Sequence, residues 1–167
     1  ATLSAARLTF HVDINIGDPV SPAPQRIVLP KILGGTMELT GYALTMVLAE
    51  KIVTMMQRTT ANTRWRDFVD VYTLTRQHPL DSDELHDSMT TVANHRQAAL
   101  TPLAEALDGY PDIAQPKWAA WRRRQQLDTR VPEDFTEVLT AVARFADPVI
   151  TDHAKNRIWN PETSRWT

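Results

Sequence analysis

The spacing of hydrophobic positions changes near residue 43. From Arg7 to Ile16, apolar Leu8, Phe10, Val12, Ile14 and Ile16 alternate with polar Thr9, His11, Asp13 and Asn15. That period of two is the mark of a half-buried strand. Gly17-Asp18-Pro19 ends it, and the proline-rich stretch to Pro24 is a loop. Gln25 to Leu29 and Met37 to Tyr42 read as two further short strands, with Gly34-Gly35 marking a turn between them.

From Thr45 the period becomes helical. Val47, Leu48, Ile52, Met55 and Met56 form one apolar stripe, with Thr45 as N-cap and an end near Arg58. A polar connection over 59–63 leads to a second helix, marked by Trp65, Phe68, Val69 and Tyr72 and ending near Arg76. Beyond His78-Pro79 the pattern predicts only helices and linkers, with helices over Asp83–Leu107, Lys117–Leu127 and Pro132–Phe145 and a polar tail after Pro148 that holds Trp159 and Trp166. Pro132 with Glu133 and Asp134 suits a helix start, because proline fits the first turn and acids favour the positive end of the dipole. Strands before residue 43 and helices after it predict an α+β fold: a partial sheet with flanking helices over 1–77, then a helical module over 78–167.

Composition narrows the functional classes. The absence of cysteine rules out disulfides, thiolate zinc sites and a cysteine nucleophile. A formal charge of −2 gives no global pull on nucleic acid, so any such contact needs a local basic patch. No apolar run is long enough for a transmembrane helix and no signal-peptide pattern opens the chain, so a cytoplasmic protein is expected. A strand pattern starting almost at Ala1, without an initial methionine, leads us to expect a segment upstream.

Several polar residues interrupt these patterns. Asp13 lies on the strand face opposite the apolar set, either as a solvent-facing acid or as an oxygen ligand for magnesium. Lys51 sits one turn from both Val47 and Met55, within an apolar stripe. It is either a snorkelling lysine or one that holds a triphosphate. The densest polar constellation is Asn62-Thr63-Arg64-Trp65-Arg66-Asp67-Phe68-Val69-Asp70. Asp67 and Asp70 share a helix face at i, i+3, and Arg64 and Arg66 are near enough to pair with them. Spacing alone fits a surface ion-pair cluster equally well. Lys117, Arg122, Arg123, Arg124 and Arg130, interleaved with Trp118 and Trp121, are either the solvated side of a tryptophan-anchored packing face or an RNA-backbone contact. His78, His86, His95 and His153 have no metal-ligand spacing.

In order and spacing, Gly17-Asp18-Pro19, Gly41-Tyr42, Ala49-Glu50-Lys51 and the 62–70 constellation resemble the nucleotidyltransferase toxins of the AbiEii/AbiGii family, of the polymerase-β type. The likeness is close over about residues 7–77 and weaker over Phe135–Pro148. It implies a toxin of a bacterial toxin–antitoxin system that uses magnesium and a nucleoside triphosphate to transfer a nucleotide to RNA such as tRNA, with a cognate antitoxin as partner. By motif matching Lys51 and Asp67 are the catalytic residues, Asn62, Arg64, Arg66 and Asp70 bind substrate, and Asp13, with Asp18 as substitute, is the metal ligand. Family members also carry, before this strand, a Gly-Ser turn and an Asp-x-Asp pair. The sequence here has Asp-x-Asp spacing only at Asp81 and Asp83, after a proline in an interhelical loop. Taken literally, the chain is then inactive unless that segment is supplied, and the alternative is a catalytically inactive family member that binds antitoxin or RNA.

Overall fold

The computed structural model describes residues 2, 3, 6, 7, 9, 17 and 19–167. Most of the strand expected over Arg7–Ile16 lies outside these residues, and so do Asp13 and Asp18. The fold is α+β, with six α-helices and three small antiparallel sheets among the described residues. β1 (Thr2–Leu3) pairs with β2 (Ala6–Arg7).

The two strands expected next form a hairpin, β3 (Gln25–Pro30) and β4 (Thr36–Gly41), in a register running from Gln25↔Gly41 to Pro30↔Thr36. Gly34 and Gly35 have φ of 90° and 77°, a region glycine enters without steric cost. Lys31 N–H donates to the Gly35 carbonyl across that turn. Both faces of the hairpin are largely exposed, including Val28, Ile32 and Leu33.

α1 (Leu44–Arg58) buries Met46, Leu48, Ala49, Ile52, Val53, Met55 and Met56, as its apolar stripe requires. Thr45 is not its cap: the N-cap is Ala43, two residues earlier, and the buried Thr45 hydroxyl instead donates to Glu84 at 2.5 Å. A 3-10 turn (Thr59–Ala61) follows, then α2 (Trp65–Leu74).

The reading of residues 78–167 as helices and linkers needs correction. Leu80–Asp81 is a short strand, β5, and the expected polar tail supplies β6 (Ile158–Asn160) and β7 (Arg165–Trp166). They form one sheet in the order β5-β6-β7. Tryptophan drives this closure. Trp159 is buried and donates to the Thr75 carbonyl at 2.6 Å, while Trp166 donates to the Phe145 carbonyl at 2.9 Å and stacks on that ring.

The helix expected over Asp83–Leu107 is two, α3 (Ser82–His95) and α4 (Leu103–Ala106). Gln97 takes a positive φ, and Pro102 disfavours helix for the residue before it. The Asp81 carboxylate caps α3 through the N–H groups of Asp83 and Glu84. α5 (Tyr110–Arg124) starts seven residues earlier than expected. α6 (Phe135–Ile150) starts at its Asp134 cap, not at Pro132, and continues through Pro148. One hydrophobic core runs from Met46 on α1 to Trp159 on β6 and draws on every helix.

Candidate functional site

The site is built where α1 and α2 meet. Lys51 lies mid-way along α1 on the side facing α2, so its stem is shielded and its ammonium reaches two acids of the second helix. Nζ is 2.7 Å from Asp70 Oδ2 and 3.2 Å from Asp67 Oδ1. Because Asp67 and Asp70 are one turn apart, a single lysine bridges both. Asp67 also lies in the first turn of α2, where the helix dipole favours its charge.

The Asp67 side chain is only 3% exposed. Arg64 Nε stands 2.7 Å from its Oδ2, close enough for charge attraction but off the line of a hydrogen bond. Oδ2 therefore remains buried without a hydrogen-bond donor, an arrangement that costs free energy in a purely structural acid. Burial works against the Lys51 charge. The hydrogen bond and charge of Asp70, and then the charge and hydrogen bond of Asp67, outweigh it and hold the pKa above the usual 10.5. Lys51 is a fixed positive charge at neutral pH.

Asn62 anchors the start of α2. It is buried, and its Oδ1 accepts the Arg64 backbone N–H at 2.8 Å. Its backbone carbonyl accepts the hydroxyl of Tyr110 on α5. Tyr110 is itself held in an aromatic cluster, parallel to Trp65 at 6.0 Å and edge-on to Phe135 at 5.6 Å. Burial raises its phenol to about 12, so it stays a donor at neutral pH. Sequence reasoning missed this residue, because nothing local connects Tyr110 with a loop 48 positions away.

The 49–70 segment thus places Lys51, Asn62, Arg64, Asp67 and Asp70 around one helix start. A family model described as nucleotidyl transferase AbiEii toxin, type IV TA system, matches residues 1–144. The chain belongs to this AbiEii family. No curated protein and no solved structure matches it. The match contains all of α1 to α5 and most of α6, and β6 and β7 lie beyond it.

The remaining predicted residues of this AbiEii chain separate into two groups. Arg66 is exposed and makes no ion pair among the described residues, whereas Arg64 is drawn to Asp67. On α5 the basic patch divides. Arg122 is buried and clamps the following turn through Val131 O at 3.0 Å and the carboxylate and carbonyl of Asp128. Trp118 is buried and donates to Glu133 O, with Trp121 stacked on it at 5.6 Å. The tryptophans and Arg122 therefore serve packing, which leaves Lys117, Arg123, Arg124 and Arg130 exposed. Among the described residues no helix is long and apolar enough to cross a membrane.

Proposed function

We propose that this AbiEii chain forms the lysine-bearing wall of a nucleotidyl transfer site that moves a nucleotide from a nucleoside triphosphate to an RNA acceptor such as tRNA, in the cytoplasm. The observation that carries the reading is the bridging of Lys51 to a buried Asp67 that keeps one oxygen without a hydrogen-bond donor. The ammonium is charged and held in place, as neutralising the triphosphate during phosphoryl transfer requires. Asp67 positions Lys51 and Arg64 together, and the Arg64 guanidinium, half exposed, suits paired contacts to phosphate oxygens. Asp70 fixes the far side of the ammonium, and Asn62 sets the start of α2 from which Arg64 and Arg66 project.

Nucleotidyl transferases as a class use a divalent cation, here magnesium, which supplies charge neutralisation at the phosphoryl oxygens. Among the described residues no group of three His, Asp or Glu side chains could hold a metal. Asp67 and Asp70 offer two carboxylates already spanned by an ammonium, so they do not form a magnesium site by themselves. Asp13 is our candidate for a further ligand.

The test is transfer of label from each α-labelled ribonucleoside triphosphate, with magnesium, to total tRNA by the chain and by Lys51→Ala and Asp67→Ala. Transfer by the parent that disappears in both folded variants supports the reading; transfer that survives in either sinks the assignment. A second reading, a non-catalytic module that binds the antitoxin or RNA, draws on the same ion pairs: Lys51 is already neutralised by two acids and ties α1 to α2. Absence of transfer from every nucleotide, together with retained RNA binding, favours it.

A further inference from the structure

On the other side of the α2 start lies a pocket of about 80 Å³, walled in part by Thr60, Asn62, Thr63, Tyr110 and Lys117. It contains none of Lys51, Asp67 and Asp70, because Trp65, which does line it, sits two helix positions from Asp67 and so faces the opposite way. Three features lie around it. Asn62 is 1% exposed, and its Nδ2 is buried with no hydrogen-bond partner. The amide oxygen and the backbone carbonyl are both already engaged, which leaves an N–H donor calling for an acceptor. Next, α2 begins without a side-chain cap, so its first-turn N–H groups present the positive end of a ten-residue helix. Lys117, exposed on α5, adds a full positive charge at the rim. The volume exceeds the roughly 30 Å³ share of a single water and suits a phosphate group.

The pocket also opens onto a basic track. Arg124 lies seven residues beyond Lys117 on the same face of α5, a distance of about 10.5 Å along the axis. Both side chains are exposed, and neither makes an ion pair among the described residues. Arg122, which is turned into the protein, does not belong to it. We propose that the pocket seats one backbone phosphate of an RNA strand and that Lys117 and Arg124 carry the strand along α5. The ligand class is a phosphodiester chain, recognised by charge and backbone donors and therefore read without base specificity. The inference rests on the reading of RNA as the acceptor.

Binding of fluorescently labelled total tRNA by anisotropy, from about 50 to about 200 mM salt, tests it with the full chain. Lys117→Ala/Arg124→Ala should weaken binding roughly tenfold at low salt and lower the slope of log K against log salt by about 1.4, or about 0.7 for each phosphate of a single strand that is no longer neutralised. Ile113→Glu, at a pocket position that is 64% exposed, should weaken binding further without disturbing the core. Arg144→Ala/Lys155→Ala, which removes two exposed charges elsewhere, should leave the slope unchanged. Equal affinity and slope in the parent and Lys117→Ala/Arg124→Ala overturn the proposal, as does a parent that does not bind tRNA at all. Transfer by the parent with binding unaffected in the variants removes this surface and keeps the nucleotidyl transfer. Binding abolished in the variants while the parent transfers nothing keeps the surface and removes the transfer.

Discussion

Replacing Lys51 by methionine keeps the stem that packs against α1 and α2 and removes only the ammonium. The Asp67 carboxylate, with 3% of its side chain exposed, then loses its ammonium partner and keeps only a single misaligned arginine. Removing one partner of a buried pair costs about 3–5 kcal/mol. Lys51 is 19% exposed and Arg64 53%, so water and Arg64 relieve part of that, and we expect about 2–3 kcal/mol. For a chain of this length the loss lowers Tm by about 4–12 °C. Urea unfolding followed by far-UV circular dichroism, with coincident tryptophan fluorescence as the two-state check, measures it. The companion variant Lys51→Met/Asp67→Leu removes the stranded charge as well and should recover most of the loss, since a buried pair and an apolar replacement are often close in stability. Both variants should lack transfer activity, which separates the catalytic from the structural contribution. The sign of the pH dependence follows from the raised Lys51 pKa. The stabilisation is fully present below pH 10.5 and disappears as pH rises through the higher folded value, a contribution that Lys51→Met should lack, leaving only the fall that Tyr110 causes over the same range. A cost below about 0.5 kcal/mol, the level of a solvated surface pair, or a double variant no more stable than the single one, refutes the reasoning.

Three further variants probe contacts that hold the start of α2, the turn after α5 and the start of α4. Tyr110→Phe leaves the Asn62 carbonyl buried without its donor and should cost about 1–2 kcal/mol, read by urea unfolding. In the parent, ultraviolet titration should show one phenol ionising at about 12, with stability falling as pH rises from about 10 towards that value. Arg122→Ala removes the clamp on the turn at 125–131 and should cost about 2–3 kcal/mol; limited proteolysis should cut that turn faster, while the salt slope of tRNA binding stays unchanged. Asp147→Ala removes the carboxylate that accepts the Leu103 and Ala104 N–H groups at 2.7 and 3.1 Å. It should lower stability by about 1–2 kcal/mol, seen as earlier hydrogen exchange in α4.

How much of the fold and the site could be read along the chain depends on the range of the forces involved. Lys51, Asp67 and Asp70 could be singled out because helical spacing is a local rule: a lysine inside an apolar stripe and two acids one turn apart are visible in sequence. The order of the motifs pointed to the family that the match over 1–144 shows. Helices α1 and α2 and the β3–β4 hairpin were readable for the same reason, since each rests on its own periodicity or turn glycines.

What sequence could not settle was set by contacts between distant segments. Thr45 looks like a helix cap, yet its hydroxyl is spent on Glu84, 39 residues away. Arg122 looks like part of a basic patch, yet it is buried by the return of the chain at 128–131. Residues 158–166 read as a polar tail, but two tryptophans find carbonyl acceptors at Thr75 and Phe145 and close a sheet there. Residue order alone dictates which groups can ionise, pair and pack along one helix face. Which partner each of them meets is a property of the folded chain, because desolvation and hydrogen-bond geometry depend on what a side chain faces across the core, and no local pattern encodes that.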